Sequence, residues 1–69
     1  MQIQLRDWRL AKVITQEELA QQSGVTEATI SRIESGQRDA RISTVRKLAE
    51  ALGITPQELI AGPKLKAAA

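Results

Sequence analysis

The chain has 69 residues, room for one domain, and a domain of that size buries only about 60% of the surface its extended chain would expose. It contains no cysteine and no histidine, which excludes disulfide staples, thiolate metal sites and imidazole acid/base chemistry, and Trp8 is its one aromatic residue, so the core must be aliphatic. Lys and Arg outnumber Asp and Glu by 10 to 8, a net charge of +2 that does not by itself argue for nucleic acid. No apolar run approaches the roughly 18 residues of a membrane span, and MQIQLRDWRL lacks the basic-then-apolar form of a secretory signal. The expectation is a soluble, cytoplasmic, all-α protein.

Five helices are predicted. The first covers residues 2–12, with Met1, Leu5, Trp8 and Lys12 on one face, Arg9 at its edge, and Ile3 and Leu10 on the opposite side. Thr15, with Glu18 three residues on, forms a capping box that opens a second helix over 16–23, and Gly24 ends it in the left-handed conformation that glycine adopts freely. Thr26 caps a third helix over 27–34, closed by Gly36. The polar loop QRDAR, residues 37–41, precedes a fourth helix whose Ile42, Val45, Leu48, Ala49 and Leu52 recur at helical spacing up to Gly53. Thr55-Pro56-Gln57-Glu58 supplies cap, first-turn proline and capping glutamate for a short fifth helix. Gly62-Pro63 stops it, giving a domain over residues 1–62 and a disordered tail over 63–69.

The second and third helices are joined by a turn so short that they must cross steeply, and Ala20 offers the small side chain that close crossing needs. Val25 plugs the gap, while Leu19, Ile30 and Ile33 seat the pair on the core. This leaves Glu27, Ala28, Ser31 and Arg32 on the outer face of the third helix, with Thr29 beside them. A helix of this size fits the DNA major groove, where base edges carry a distinguishing pattern of donors and acceptors.

These residues, with Leu5, Arg9, Ile14, Gln16, Glu34, Gly36, Leu48, Ala49, Leu52, Gly53 and Leu59, resemble the phage-repressor or Xre/Cro-type helix-turn-helix family across residues 5–60. The resemblance implies a five-helix, lambda-repressor-like domain that binds double-stranded DNA as a dimeric repressor on a palindromic operator. It implies base contacts from Glu27, Ala28, Arg32 and Gln16, the last touching phosphate or bracing a base contact. Phosphate contacts fall to Thr26, Ser31, Ser35, Arg38 and Arg41. The implied protein is bacterial or phage-encoded, is nucleoid-associated when bound, and uses no cofactor or metal. Three positions depart from the family pattern. Glu27 is an acid that either accepts from cytosine N4 or only complements the helix dipole. Val13 stands where glycine is common, so the first helix is expected to end differently, and Ala40 replaces a common proline, which loosens the loop.

Arg9 and Glu34 resemble a family pair that locks the third helix to the first; two solvated charges are the plainer reading. Trp8 reads as a core residue, since a lone aromatic makes a poor stacking platform. Ile54, Leu59, Ile60 and Leu65 are assigned to a dimer interface, against the alternative that they close the monomer core. Glu17 and Glu18 are adjacent on a helix and do not face each other, so they make no acid/base site, and no enzymatic role is expected. The rival function is an antitoxin or adaptor whose main role is to bind a partner protein, with Ile3, Leu10 and the acidic Glu27 as its support.

Overall fold

A computed structural model describes residues 2–63; Met1, Leu65 and the rest of the expected tail from residue 64 lie outside the described residues. The order is α1 (Leu5–Ala11), α2 (Gln16–Ser23), α3 (Glu27–Glu34), α4 (Ile42–Leu52) and α5 (Pro56–Ala61), with no strand among the described residues. The fold is therefore all-α, as the apolar spacing predicts. Thr15 and Thr55 both form complete capping boxes with Glu18 and Glu58, and Thr26 caps α3 by accepting from the Thr29 amide. Each of these caps satisfies an amide that the first helical turn leaves without a partner.

α2 packs on α3 and α4, α5 packs on α4, and α1 packs on α3. The buried core is aliphatic throughout: Leu5, Leu19, Val25, Ile30, Ile33, Ala40, Val45, Leu48, Ala49, Leu52 and Leu59, with Ile3, Trp8, Ile14, Ala20, Ala51 and Ile54 packed around it. Leu48 lies fully buried among them, and Ala20 contributes the small contact expected of it on α2.

Four expectations need correction. α1 starts at Leu5, not at residue 2, because the preceding segment docks on α5: the Gln4 amide donates to the Leu59 carbonyl at 2.9 Å. Ile3 consequently lies before the helix and packs against the core, so it is not part of an outward-facing patch. Ile42 is exposed, since it is the first residue of α4 and projects beyond the core. Ala40 is buried, so it anchors the loop that it was expected to loosen.

The end of α1 is more instructive. Val13 adopts φ +56°, the left-handed region, and is 84% exposed. Its amide donates to the Leu10 carbonyl at 3.0 Å and the Ile14 amide donates to the Arg9 carbonyl at 3.1 Å. Those two bonds make the paired closure typical of a helix C-terminus, in which glycine usually holds the left-handed position. The expected difference in helix ending is absent: valine takes the glycine conformation and bears its strain.

Candidate nucleic-acid interface

α3 divides cleanly into two faces. Ile30 and Ile33 are buried, while Glu27, Ala28, Ser31 and Arg32 are exposed and Thr29 is half-buried. The Thr26 hydroxyl is committed as the cap, accepting from the Thr29 amide at 3.2 Å and donating to the Thr29 hydroxyl at 2.9 Å. Ser35, at the C-terminal end, is exposed and its hydroxyl donates to the Arg32 carbonyl at 3.2 Å. Arg38 and Arg41 are exposed in the loop between α3 and α4. The resulting surface is polar, and it is carried by a helix whose inner face is fixed in the core.

Beneath this surface lies an ion pair between α1 and the end of α3. Arg9 Nε donates to Glu34 Oε2 at 2.7 Å and Arg9 Nη2 donates to Glu34 Oε1 at 3.0 Å, a two-pronged contact between planar groups. The side chains are only 12% and 6% exposed. Arg9 Nη1 also donates to the Ile14 carbonyl at 2.9 Å, which ties the turn after α1 into the same cluster. The hydrogen bonds to Glu34 raise the Arg9 pKa above its ordinary value, against the opposing effect of burial, and the carboxylate charge adds to the rise. Removing either partner would leave the other charge buried and uncompensated.

The cluster extends further than a pair. Gln16, the first residue of α2 and half-buried, donates from Nε2 to Glu34 Oε1 at 3.0 Å. One carboxylate thus joins α1, α2 and α3. Sequence reasoning placed Gln16 toward DNA and Glu34 toward Arg9 but did not connect the two. Arg6 was also missed: it is exposed and lines a shallow polar depression with Arg9, Gln16, Ser31, Glu34 and Ser35. The available signal was its position three residues before Arg9, on the same side of α1.

The expected dimer residues are dispersed. Leu59 is fully buried in the core and has no surface to give to a partner, Ile54 is half-buried against the core, and Ile60 is exposed. Trp8 packs against the core, donates from its indole nitrogen to the Glu58 carbonyl at 2.7 Å, and has the Lys12 ammonium 5.9 Å from its ring centre. Leu10, 54% exposed, and Val13 line an open groove with Ile14, Thr15, Glu17 and Glu27. Among the described residues no helix is long and apolar enough to cross a membrane, and no acidic cluster of three or more could hold a metal ion.

An α2–turn–α3 pair with a buried inner face and a polar outer face, braced by flanking helices, defines a helix-turn-helix domain. The helix-turn-helix family HTH_3 matches residues 5–59, and the chain belongs to it. The chain is 47% identical over 58 residues to the HTH-type transcriptional repressor RghR of Bacillus subtilis (strain 168), spanning 83% of this chain and 43% of that protein. It is 42% identical over 59 residues to the uncharacterized HTH-type transcriptional regulator RghRB of the same organism, spanning 84% of this chain and 42% of that protein. The chain therefore covers less than half the length of these two relatives. Among solved structures it is similar to the restriction-modification controller protein C.AhdI from Aeromonas hydrophila, with a TM-score of 0.78, 43% identity and 81% of each chain covered.

Proposed function

We propose that this chain is a sequence-specific reader of double-stranded DNA that acts in transcriptional regulation, as a two-fold dimeric repressor on a palindromic operator. The observation that carries the reading is the division of α3: Ile30 and Ile33 are locked in the core while Glu27, Ala28, Ser31 and Arg32 stand exposed on one rigid face. Similarity to a transcriptional repressor and to a restriction-modification controller supports the same role.

In this reading α3 enters the major groove. Arg32 pairs with a guanine edge, Ala28 meets a thymine methyl, and Glu27 accepts from cytosine N4 or stays as a first-turn residue favoured by the helix dipole. Gln16 and Ser31 hydrogen-bond to the backbone, Thr26 and Ser35 join them when their hydroxyl protons turn from the Thr29 hydroxyl and the Arg32 carbonyl to phosphate, and Arg6, Arg38 and Arg41 neutralise phosphate. Gln16 also reaches or braces a base. Two recognition helices about 34 Å apart would engage successive half-sites. Ile60, with the exposed edge of Ile54 and with Leu65 beyond the described residues, is assigned to self-association. The activity is binding and not catalysis, and no cofactor is assigned. Bound to its operator, the protein would be associated with the nucleoid of a bacterium or of a phage-infected cell.

A second reading, an antitoxin or adaptor that chiefly binds a protein, is favoured by one observation: Leu10 and Val13 expose apolar surface beside the acidic Glu17 and Glu27. In-vitro selection from random duplex DNA decides between them. The regulator reading expects a two-fold symmetric consensus, with an affinity that falls steeply with salt. Three arginines per chain, about six per dimer, give a slope of log K against log salt of roughly −5. Selection that enriches no sequence, with a slope near zero, would overturn it.

A further inference from the structure

We infer that Glu34 is a positioning residue for DNA recognition: it fixes which way round the Gln16 amide faces, and so fixes the hydrogen-bond pattern that Gln16 offers to DNA. This rests on the proposed reading in which Gln16 reaches DNA.

A carboxylate only accepts hydrogen bonds, whereas a glutamine amide has a donating end and an accepting end. Glu34 Oε1 lies 3.0 Å from Gln16 Nε2. The flipped amide would set its carbonyl oxygen against a carboxylate oxygen at that distance, two acceptors with no proton between them. Gln16 therefore has one orientation. The carboxylate cannot turn to suit another, because Arg9 grips both of its oxygens at 2.7 and 3.0 Å and Arg9 is itself tied to the Ile14 carbonyl at 2.9 Å. With the pair only 12% and 6% exposed, water competes weakly for these contacts.

What remains to Gln16 is one N–H and its carbonyl oxygen. Such an edge matches a partner that accepts at one point and donates at another, as the N7 and N6 amino group of adenine do. An unpinned glutamine would rotate to suit several partners and discriminate less. Glu34 thus acts on sequence preference through Gln16 and touches no DNA itself.

Glu34→Gln is the informative change. A glutamine replaces one of the two accepting oxygens by a donating NH2, so the position offers a partner to either end of the Gln16 amide and Gln16 is released to turn. The experiment takes a DNA site selected with the wild-type chain, identifies the base pair whose preference is lost in Gln16→Ala, and measures affinity for all four base pairs at that position. The comparison covers wild type, Glu34→Gln, Gln16→Ala and the double variant, at a temperature where circular dichroism shows all four folded. Glu34→Gln is expected to reduce discrimination at that position by roughly three- to tenfold, the worth of one hydrogen bond, and to leave other positions unchanged. Gln16→Ala is expected to cost little further discrimination at that position in the Glu34→Gln background. A purely structural Glu34 would instead weaken every sequence alike, with Gln16→Ala costing the same in both backgrounds, and that result overturns the inference alone. If no selective DNA is recovered, the regulator reading and the inference fall together. Should Glu34→Gln not fold, the side-chain amide protons of Gln16 in wild type decide: one proton protected from exchange relative to those of Gln21 and Gln22 supports pinning, and equal exchange overturns it.

Discussion

Val13→Gly should stabilise the protein, although it removes an apolar side chain. Val13 holds φ +56° at the left-handed end of α1. Left-handed backbone costs a residue with a Cβ about 1–2 kcal/mol, and the cost applies fully to a β-branched one. Glycine escapes that strain but brings extra freedom to the unfolded chain, which takes back about 0.5–1 kcal/mol. The lost valine contacts count for little, because the residue is 84% exposed. The two ranges leave a net gain of about 0–1.5 kcal/mol, and its centre of about 0.75 kcal/mol raises Tm by about 3–6 °C for a domain of this size. Thermal denaturation followed by far-ultraviolet circular dichroism measures it. The reciprocal change, Gly53→Val, tests the same reasoning with the sign reversed. Gly53 ends α4 at φ +73° with an equivalent pair of backbone bonds, and a Cβ there would meet nothing within 4 Å. Its loss is therefore backbone strain, offset in part by the reduced freedom of the unfolded chain, and about equal and opposite to the gain at Val13. A Val13→Gly protein that melts at or below wild type, beside a Gly53→Val protein that melts unchanged, would refute the reasoning.

Glu34→Ala should cost about 3–5 kcal/mol, since it strands a buried guanidinium, whereas Lys12→Ala gives up only an exposed contact with Trp8 worth about 0.5–1 kcal/mol; denaturant titration compares them, and equal small losses would count against the buried pair. Arg32→Ala should relax preference at one base pair of each half-site by about 1–3 kcal/mol, while Arg38→Ala should weaken all sequences alike and, with two copies lost per dimer, make the salt slope shallower by roughly 2; fluorescence anisotropy on matched and mismatched sites separates the two. Stability should be flat between about pH 6 and 9. The Arg9 pKa is raised in the folded chain, so its contribution is complete throughout the range below the ordinary arginine value and is lost only as pH climbs through the still higher folded value. With no histidine present, a midpoint that shifts by several degrees across that window would contradict this assignment.

The helices were legible because each boundary carries its own chemistry. Thr15, Thr26 and Thr55 cap from one side, and apolar residues repeat at helical spacing between those caps and the glycines that follow. The errors fall where local pattern competes with tertiary packing. Residues 2–4 have nothing against helix in their sequence, yet the Gln4 amide is taken by the Leu59 carbonyl and the segment stays outside the helix, docked on α5. Ile42 fits the α4 stripe by spacing, but as the first residue of the helix it has no neighbour to pack on. Val13 shows the opposite case. The backbone bonds that close α1 persist without the glycine that usually permits them, because Ile14 and Arg9 are held by the core and by Glu34. At the candidate site, the exposed residues of α3 followed from periodicity alone. The bond between Gln16 and Glu34 did not, because residues 18 positions apart on different helices meet only once the crossing angle of α2 and α3 is known.

That bond bears on why a chain with so small a core keeps a charged pair in it. A buried ion pair is poor value for stability, since well-packed apolar residues in its place are often neutral or better. Here the pair lies under the proposed reading surface and not in the middle of the core. Leu19, Ile30, Leu48 and Leu59 already fill the centre without it. What apolar residues could not supply is direction. Packing contacts tolerate small slides of one helix over another, whereas Arg9 and Glu34 meet through two bonds between planar groups, and Gln16 adds a third from another helix. A carboxylate gripped from α1 and α2 leaves the end of α3 one seat. Glu27, Ala28 and Arg32 are carried by a helix that Ile30 and Ile33 also seat in the core, so their alignment survives the loss of one of these bonds, whereas the direction of the Gln16 amide does not. On the proposed reading, stability and recognition share Glu34, and an apolar residue in its place would release Gln16.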